Sequence, residues 1–325
     1  MKNDTNSPAH APQWLVITAF AAVYIIWGST YLGIRYAVES IPPLLMAGAR
    51  NLTAGLLMYA FVRPRCQRGP TPAEWRDGFI IGALLLAGGN GGVSWAEKFV
   101  PSSTTALIVA VTPAWIVIFD WLRPKGTRPG WLVATGLAIG FVGVAVLTYG
   151  YKKGDGSANG WAIAVLMMAS LAWSFGSIFS RGAQKPANPL LSVAMQMSAG
   201  GLILLLLGVL KGEPAQFSFA NLTPLSIGAW LYLVVAGSLI GFTAYVWLLH
   251  VSTPARVSTY GYVNPLIAVL LGCTLGREPF SPDLLIASVL IFVSVVFIVR
   301  GGGNKSPAGN KTAETIANEP ASEAP

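Results

Sequence analysis

Apolar residues in this chain come in long runs rather than in alternation. Runs of about 18 to 22 residues occupy 14–34, 44–62, 78–96, 102–122, 130–149, 161–180, 190–210, 226–248, 255–275 and 283–300. Each is roughly the length a helix needs to cross ~30 Å of hydrocarbon, where the backbone must satisfy its own hydrogen bonds. The pattern predicts an all-α polytopic membrane protein with ten transmembrane helices. The first run is too long for the ~7–15-residue core of a cleaved signal, and nine more follow it. The segments 1–13 and 302–325 are rich in Gly, Pro, Ala and polar residues and are expected to be disordered tails.

The chain is written twice. Shifted by 146, Trp27 falls on Trp173, Arg35 on Arg181, and the Pro-Leu-Leu at 43–45 on that at 189–191. Shifted by 152, Pro113 falls on Pro265, each preceded by a polar residue, Thr112 and Asn264. The change of offset must lie between the second and fourth spans. The units are therefore 14–150 and 151–301. Five spans are an odd number, so the second copy enters the membrane from the opposite side, which predicts two inverted five-helix repeats. That architecture lets one central site be exposed alternately to each side.

Composition sharpens the picture in two respects. Only 10% of residues are charged, against roughly 25% in a soluble domain, so the surface is built for a lipid bilayer. The formal net charge of +8 sorts by loop: with the N-terminus inside, 14 Lys and Arg fall on the cytoplasmic side and six on the other. This predicts that both termini are cytoplasmic, and the basic balance gives no reason to expect nucleic acid as a partner. Two cysteines, Cys66 and Cys273, have no CxxC or His cluster nearby, so neither a zinc site nor any other cofactor is expected.

Several segments together resemble the EamA-type branch of the drug/metabolite transporter superfamily. They are YIIWGSTYLGIRYAVE in the first span, GAR at 48–50, VPSSTTALIVAVTP at 100–113, RVSTYGYVNPLIAVLLG at 256–272 and GREP at 276–279. The resemblance covers residues 14–300. It implies a bacterial inner-membrane carrier, usually an exporter of amino acids, other metabolites or drugs, with a cavity lined by spans 1, 3, 4, 6, 8 and 9. The family often has an acid about 13 residues after each mid-helix proline. Glu278 fits this in the second unit, while the first has Gly126.

The polar residues inside spans are the candidates for function. Tyr24, Trp27, Tyr31 and Arg35 share one helix face, with Ser29 beside them, and Trp173 and Ser177 repeat the arrangement. Such a face suits an amphipathic solute; the bland reading is helix packing and an interfacial belt. Pro113 and Pro265 deprive the carbonyls of Val109 and Gly261 of their helical partners. They are candidate hinges, with Thr112, Tyr260, Tyr262 and Asn264 beside them as solute contacts. Gly88 and Gly92 favour close packing of the third span, Asn90 needs partners near mid-membrane, and Trp95 and Trp115 are candidate cavity walls. Arg50 and Glu97 are ionisable groups in or at the end of spans, so they are expected to pair or to face a wet cavity. Glu97 is the candidate carrier of a coupling proton.

These readings converge on a secondary carrier for a small-molecule substrate, an amino acid or an amphipathic drug-like solute, with export direction implied by the resemblance alone. The chain has no phosphate-binding loop, so a gradient must drive it. The rivals are a channel or sensor scaffold and a membrane-embedded enzyme. The enzyme would need a cluster of acids, histidines or metal ligands that the sequence lacks.

Overall fold

The computed structural model describes residues 12–122, 128–153, 160–252, 254–257 and 259–302. Most of both predicted tails, and Gly126, lie outside them. The ten apolar runs become ten long helices: α1 (Gln13–Ala37), α2 (Pro43–Val62), α3 (Pro72–Ala96), α4 (Ser102–Leu122), α5 (Trp131–Lys153), α6 (Gly160–Gly182), α7 (Pro189–Leu210), α8 (Pro224–Val251), α9 (Tyr260–Thr274) and α10 (Pro282–Gly302). No strand is present among the described residues. Prolines open α2, α3 and α7 at positions where a missing N–H costs nothing, and Thr71 and Glu74 form a reciprocal cap at the start of α3.

Eight of the helices are long and apolar enough to span a membrane. Two further apolar helices among the described residues, Trp131–Leu147 within α5 and Val263–Thr274 within α9, lie at the places of the fifth and ninth predicted spans. The ninth helix opens with the polar sequence Tyr-Gly-Tyr-Val-Asn. It packs against α1, the first half of α4 and α10, so protein rather than lipid shields much of its backbone. Exposed Trp14, Trp75, Trp121 and Trp131 ring the end of the bundle that holds the start of α1, and Trp161, Phe219 and Phe280 ring the other end. Leucines such as Leu56, Leu57, Leu202 and Leu206 are exposed between them, as expected for a lipid-facing band between two aromatic belts. Below, "distal" denotes the end where α1 finishes.

The packing obeys an internal two-fold rule. The most extensive helix pairs join mates of the two units, α2 with α7 and α5 with α10. The remaining partners come in mirrored sets: α1 packs on α9 as α6 packs on α4, and α1 packs on α8 as α6 packs on α3. At the α2–α7 crossing the rule holds atom by atom. A methyl group on Gly55 would sit 2.6 Å from the Ser198 nitrogen, and one on Gly201 would overlap the Leu52 nitrogen; Leu52 and Ser198 are themselves repeat mates. Each glycine thus lets the other unit's backbone approach, the small-residue packing by which helices associate in lipid.

Two irregularities interrupt the helices. The middle of α3, Gly82–Asn90, and the middle of α8, Leu233–Ile240, are π-helical. The two segments are repeat mates, and neither was anticipated. In α4 the helix stops at Val109 and restarts at Thr112, so the break lies just ahead of Pro113, whereas α9 continues through Pro265.

Candidate functional site

The tryptophan of the opening motif sits where the units meet. Trp27 projects from α1 onto the π segment of α8, and its indole N–H donates to the Gly237 carbonyl at 3.1 Å. Phe242, Tyr245 and Tyr260 surround it with ring centroids 5.1–5.2 Å away. It lies so close over Gly241 that a side chain there would collide with the indole. Trp173 makes the equivalent approach to Gly89 in α3, and Gly89 and Gly241 are mates at the offset of 152. The neighbouring position behaves alike: Gly28 lies against the Asn264 carbonyl, and its mate Ser174 donates to the Thr112 carbonyl at 3.1 Å. Thr112 and Asn264 are thereby confirmed as equivalent points of the two units. The polar residue before each proline offers its carbonyl to the partner unit's first helix.

Toward the distal end lie two buried ionisable residues with unmet hydrogen-bonding capacity. Arg50 on α2 is 4% exposed and Glu97, just past α3, 1% exposed. The Arg50 Nε donates to Ser238 Oγ at 3.1 Å, while its Nη1 has no partner. Both carboxylate oxygens of Glu97 lack hydrogen-bond partners. The two do not form a direct ion pair. They lie within electrostatic reach of each other, with Arg35 and Glu278 also near Glu97 and Tyr31 facing it. Elsewhere in the bundle the Asn90 carbonyl oxygen, the Thr105 hydroxyl and the Trp115 indole N–H are also buried without partners. Each unsatisfied buried group costs about 1–3 kcal/mol, so each of them calls for a water or another partner.

Other predicted contacts turn out to be occupied within the protein. Thr112 donates its hydroxyl to the Val109 carbonyl at 2.6 Å, so the carbonyl freed by Pro113 is answered by its own helix and not by a ligand. Ser177 donates to the Trp173 carbonyl at 2.7 Å. In its hydrogen-bonding orientation the Asn264 amide donates to the carbonyls of Tyr24 and Tyr260 at 3.3 and 3.2 Å. Trp95 packs at a tilt on Phe99, with the Lys211 ammonium 5.5 Å over its ring, and the ring of Trp115 packs on Phe141 while its indole N–H stays without a partner. The Tyr262 side chain lies outside the described residues. Pro265 lines a small apolar void with Gly261 and Leu107.

A larger cavity of about 350 Å³ opens between α1, α8 and α9 in the distal half. Among the predicted residues only Ser29 lines it, held by a 2.6 Å hydroxyl contact to Tyr232. Tyr232, Ser238 and Tyr245, all on α8, were missed by the sequence reading. The signal that would have found them is the repeat itself, since Gly241 aligns with Gly89 and brings α8 opposite Trp27.

The chain is similar to known membrane transporters. The model of the EamA-like transporter family matches residues 13–149 and again 160–300. The inner membrane transporter YedA of Escherichia coli K12, itself uncharacterized, is 38% identical over 284 residues, covering 87% of this chain and 90% of its own. Protein PecM of Dickeya dadantii is 25% identical over 276 residues, covering 84% and 88%. A solved crystal structure of a protein at 20% identity superposes with a TM-score of 0.62 over 89% of this chain and 99% of its own, which supports the fold alone.

Proposed function

The chain belongs to the EamA-like transporter family, and from that premise we propose that it is a secondary carrier, not an enzyme, that exports a small organic solute across the bacterial inner membrane. The solute is an amino acid or an amphipathic drug-like compound. Alternating access operates between units 14–150 and 151–301, with N- and C-termini in the cytoplasm, so that the distal end faces outward. The observation that carries this reading is the mirrored seating of Trp27 on Gly241 and Trp173 on Gly89. Two equivalent aromatic plugs, each held by the partner unit, are what an inverted repeat needs if the units are to exchange conformations about one central path. The unsatisfied groups of Asn90, Trp115 and Arg50 provide polar contacts along that path, and the aromatic rings of Trp27, Tyr31 and Tyr260 provide the apolar ones. Glu97, buried and unpartnered, is the proposed proton-carrying carboxyl, with Arg50 as its counter-charge.

Counterflow in proteoliposomes tests this. Purified protein is loaded with a candidate amino acid or amphiphilic amine, and uptake of labelled solute against its gradient is followed. A carrier gives a transient overshoot that depends on trans solute. Flux without trans stimulation points to a channel, and the carrier reading then fails.

A further inference from the structure

Glu278 follows α9 in the Gly-Arg-Glu-Pro turn and reaches into the partner unit. Its Oε1 accepts from the Ser102 N–H and the Ser102 hydroxyl, both at 2.7 Å, and its Oε2 accepts from the Ser103 N–H at 2.9 Å. One carboxylate thus fills the start of α4, where helix N–H groups have no partners of their own and the dipole favours negative charge. The turn is shaped for this contact. Arg277 adopts a left-handed φ of 51°, rare for a residue with a side chain, and the Glu278 N–H returns to the Gly272 carbonyl at 3.0 Å. Gly272 must be glycine here, because a methyl group on it would meet the Glu278 carboxylate and the Ser102 hydroxyl.

The piece of α4 so held is a separate lever. Its helix runs only from Ser102 to Val109 and is cut from the rest at Ala110–Val111. The same distal end is tied by the Tyr36 hydroxyl donating to the Leu275 carbonyl at 2.8 Å and by Ser226 donating to the Tyr36 carbonyl at 2.7 Å. By contrast, Glu213 caps the start of α2 with bonds to the Leu44 and Leu45 nitrogens, but α2 is unbroken and sits on the two-fold axis, so that contact joins parts that need not separate. In the sequence the repeat mate of Glu278 is Gly126, which lies outside the described residues.

From this arrangement we infer that Glu278 is the distal gate residue of the carrier, a positioning residue that latches the α4 lever to α9 in the distally closed state and releases it when that end opens. The inference rests on the alternating-access reading above. In that reading α4 and α9 are mates whose distal ends must part in one half of the cycle, and the bond set described is the one that must break.

The experiment uses full-length protein in liposomes, in a background lacking Cys66 and Cys273. One reporter cysteine replaces Thr105, fully buried below the latch, and another replaces Val23, buried in the opposite half of α1. Glu278→Gln is expected to raise maleimide labelling at position 105 about fivefold and to lower it at position 23. Ser102→Ala should do the same more weakly, and should add little on top of Glu278→Gln because both changes break one contact. A purely structural acid would loosen both ends together, so labelling that rises at both positions overturns the inference. So does labelling unchanged in both variants. If Glu278→Gln does not fold, Ser102→Ala alone decides by the sign of the two labelling changes. Counterflow is measured in parallel: its absence in the unmodified protein overturns the carrier reading, while the labelling still reports whether Glu278 controls opening.

Discussion

The two glycines of the α2–α7 crossing make a prediction whose size can be worked out. A methyl group on Gly201 would overlap the Leu52 nitrogen and lie 2.8 Å from the Leu52 Cα and 2.9 Å from the Gly48 carbonyl oxygen; one on Gly55 would lie 2.6 Å from the Ser198 nitrogen. Backbone cannot swing aside as a side chain can, so Gly201→Ala or Gly55→Ala must push the helices apart by several tenths of an ångström. Overpacking of this kind costs about 1–3 kcal/mol, a fall of a few degrees in apparent Tm. Because the two sites are related by the internal two-fold axis, the separation that relieves one also relieves the other. The double variant should therefore lose less than the sum of the singles, by at least ~0.5 kcal/mol. Gly228→Ala on α8 is the control: nothing lies within 4 Å of the added methyl, and the better helix former should be neutral or stabilising by about 0.5–1 kcal/mol. Thermal unfolding in detergent micelles measures all four. Additive losses would refute the idea of a shared crossing, and neutral singles would refute the close approach itself.

Trp27→Phe keeps the ring but removes the bond to the Gly237 carbonyl; flux should fall roughly five- to tenfold, the equivalent of about 1–1.4 kcal/mol, with membrane insertion unchanged on blots. Glu97→Gln should leave counterflow in place while abolishing the response of net flux to an imposed pH gradient; a gradient response equal to wild type excludes Glu97 as the coupling group. Pro113→Ala and Pro265→Ala should shift cysteine accessibility at the two ends of α4 and α9 with opposite sign, since the units are inverted. A change of the same sign in both variants would show the prolines to be packing features.

Much of the architecture was legible because lipid makes it so: a backbone that must satisfy itself can only be helical, and run length then counts the helices. The equivalence of Thr112 with Asn264 and of Trp27 with Trp173 was legible from the repeat offsets. The site was less so. Intramembrane charge singled out Arg50 and Glu97, and both are buried, but the Ser238 hydroxyl that accepts from the Arg50 Nε lies 188 positions away in the chain. Thr112 and Asn264 looked like free ligand contacts because the sequence does not show that nearby carbonyls already accept from them. The latch at Glu278 was visible only as an acid after a proline; its target, the two N–H groups at Ser102 and Ser103, is a property of the fold.

The paired π-helical stretches bear on how this chain can change length. A π turn closes its hydrogen bond one residue later than an α turn, so each stretch stores surplus chain within a continuous helix. Losing a residue from α2 would turn everything beyond it by about 100° and carry Arg50 out of the interior. Losing one residue from Gly82–Asn90 or Leu233–Ile240 can instead be absorbed by tightening to α, which leaves Glu97 or Tyr245 facing its present direction. What such a deletion would remove is the particular placement of the Gly237 carbonyl beneath Trp27. α3 and α8 are thus where this chain could lose a single residue and adjust the grip on the central tryptophans without refolding the bundle.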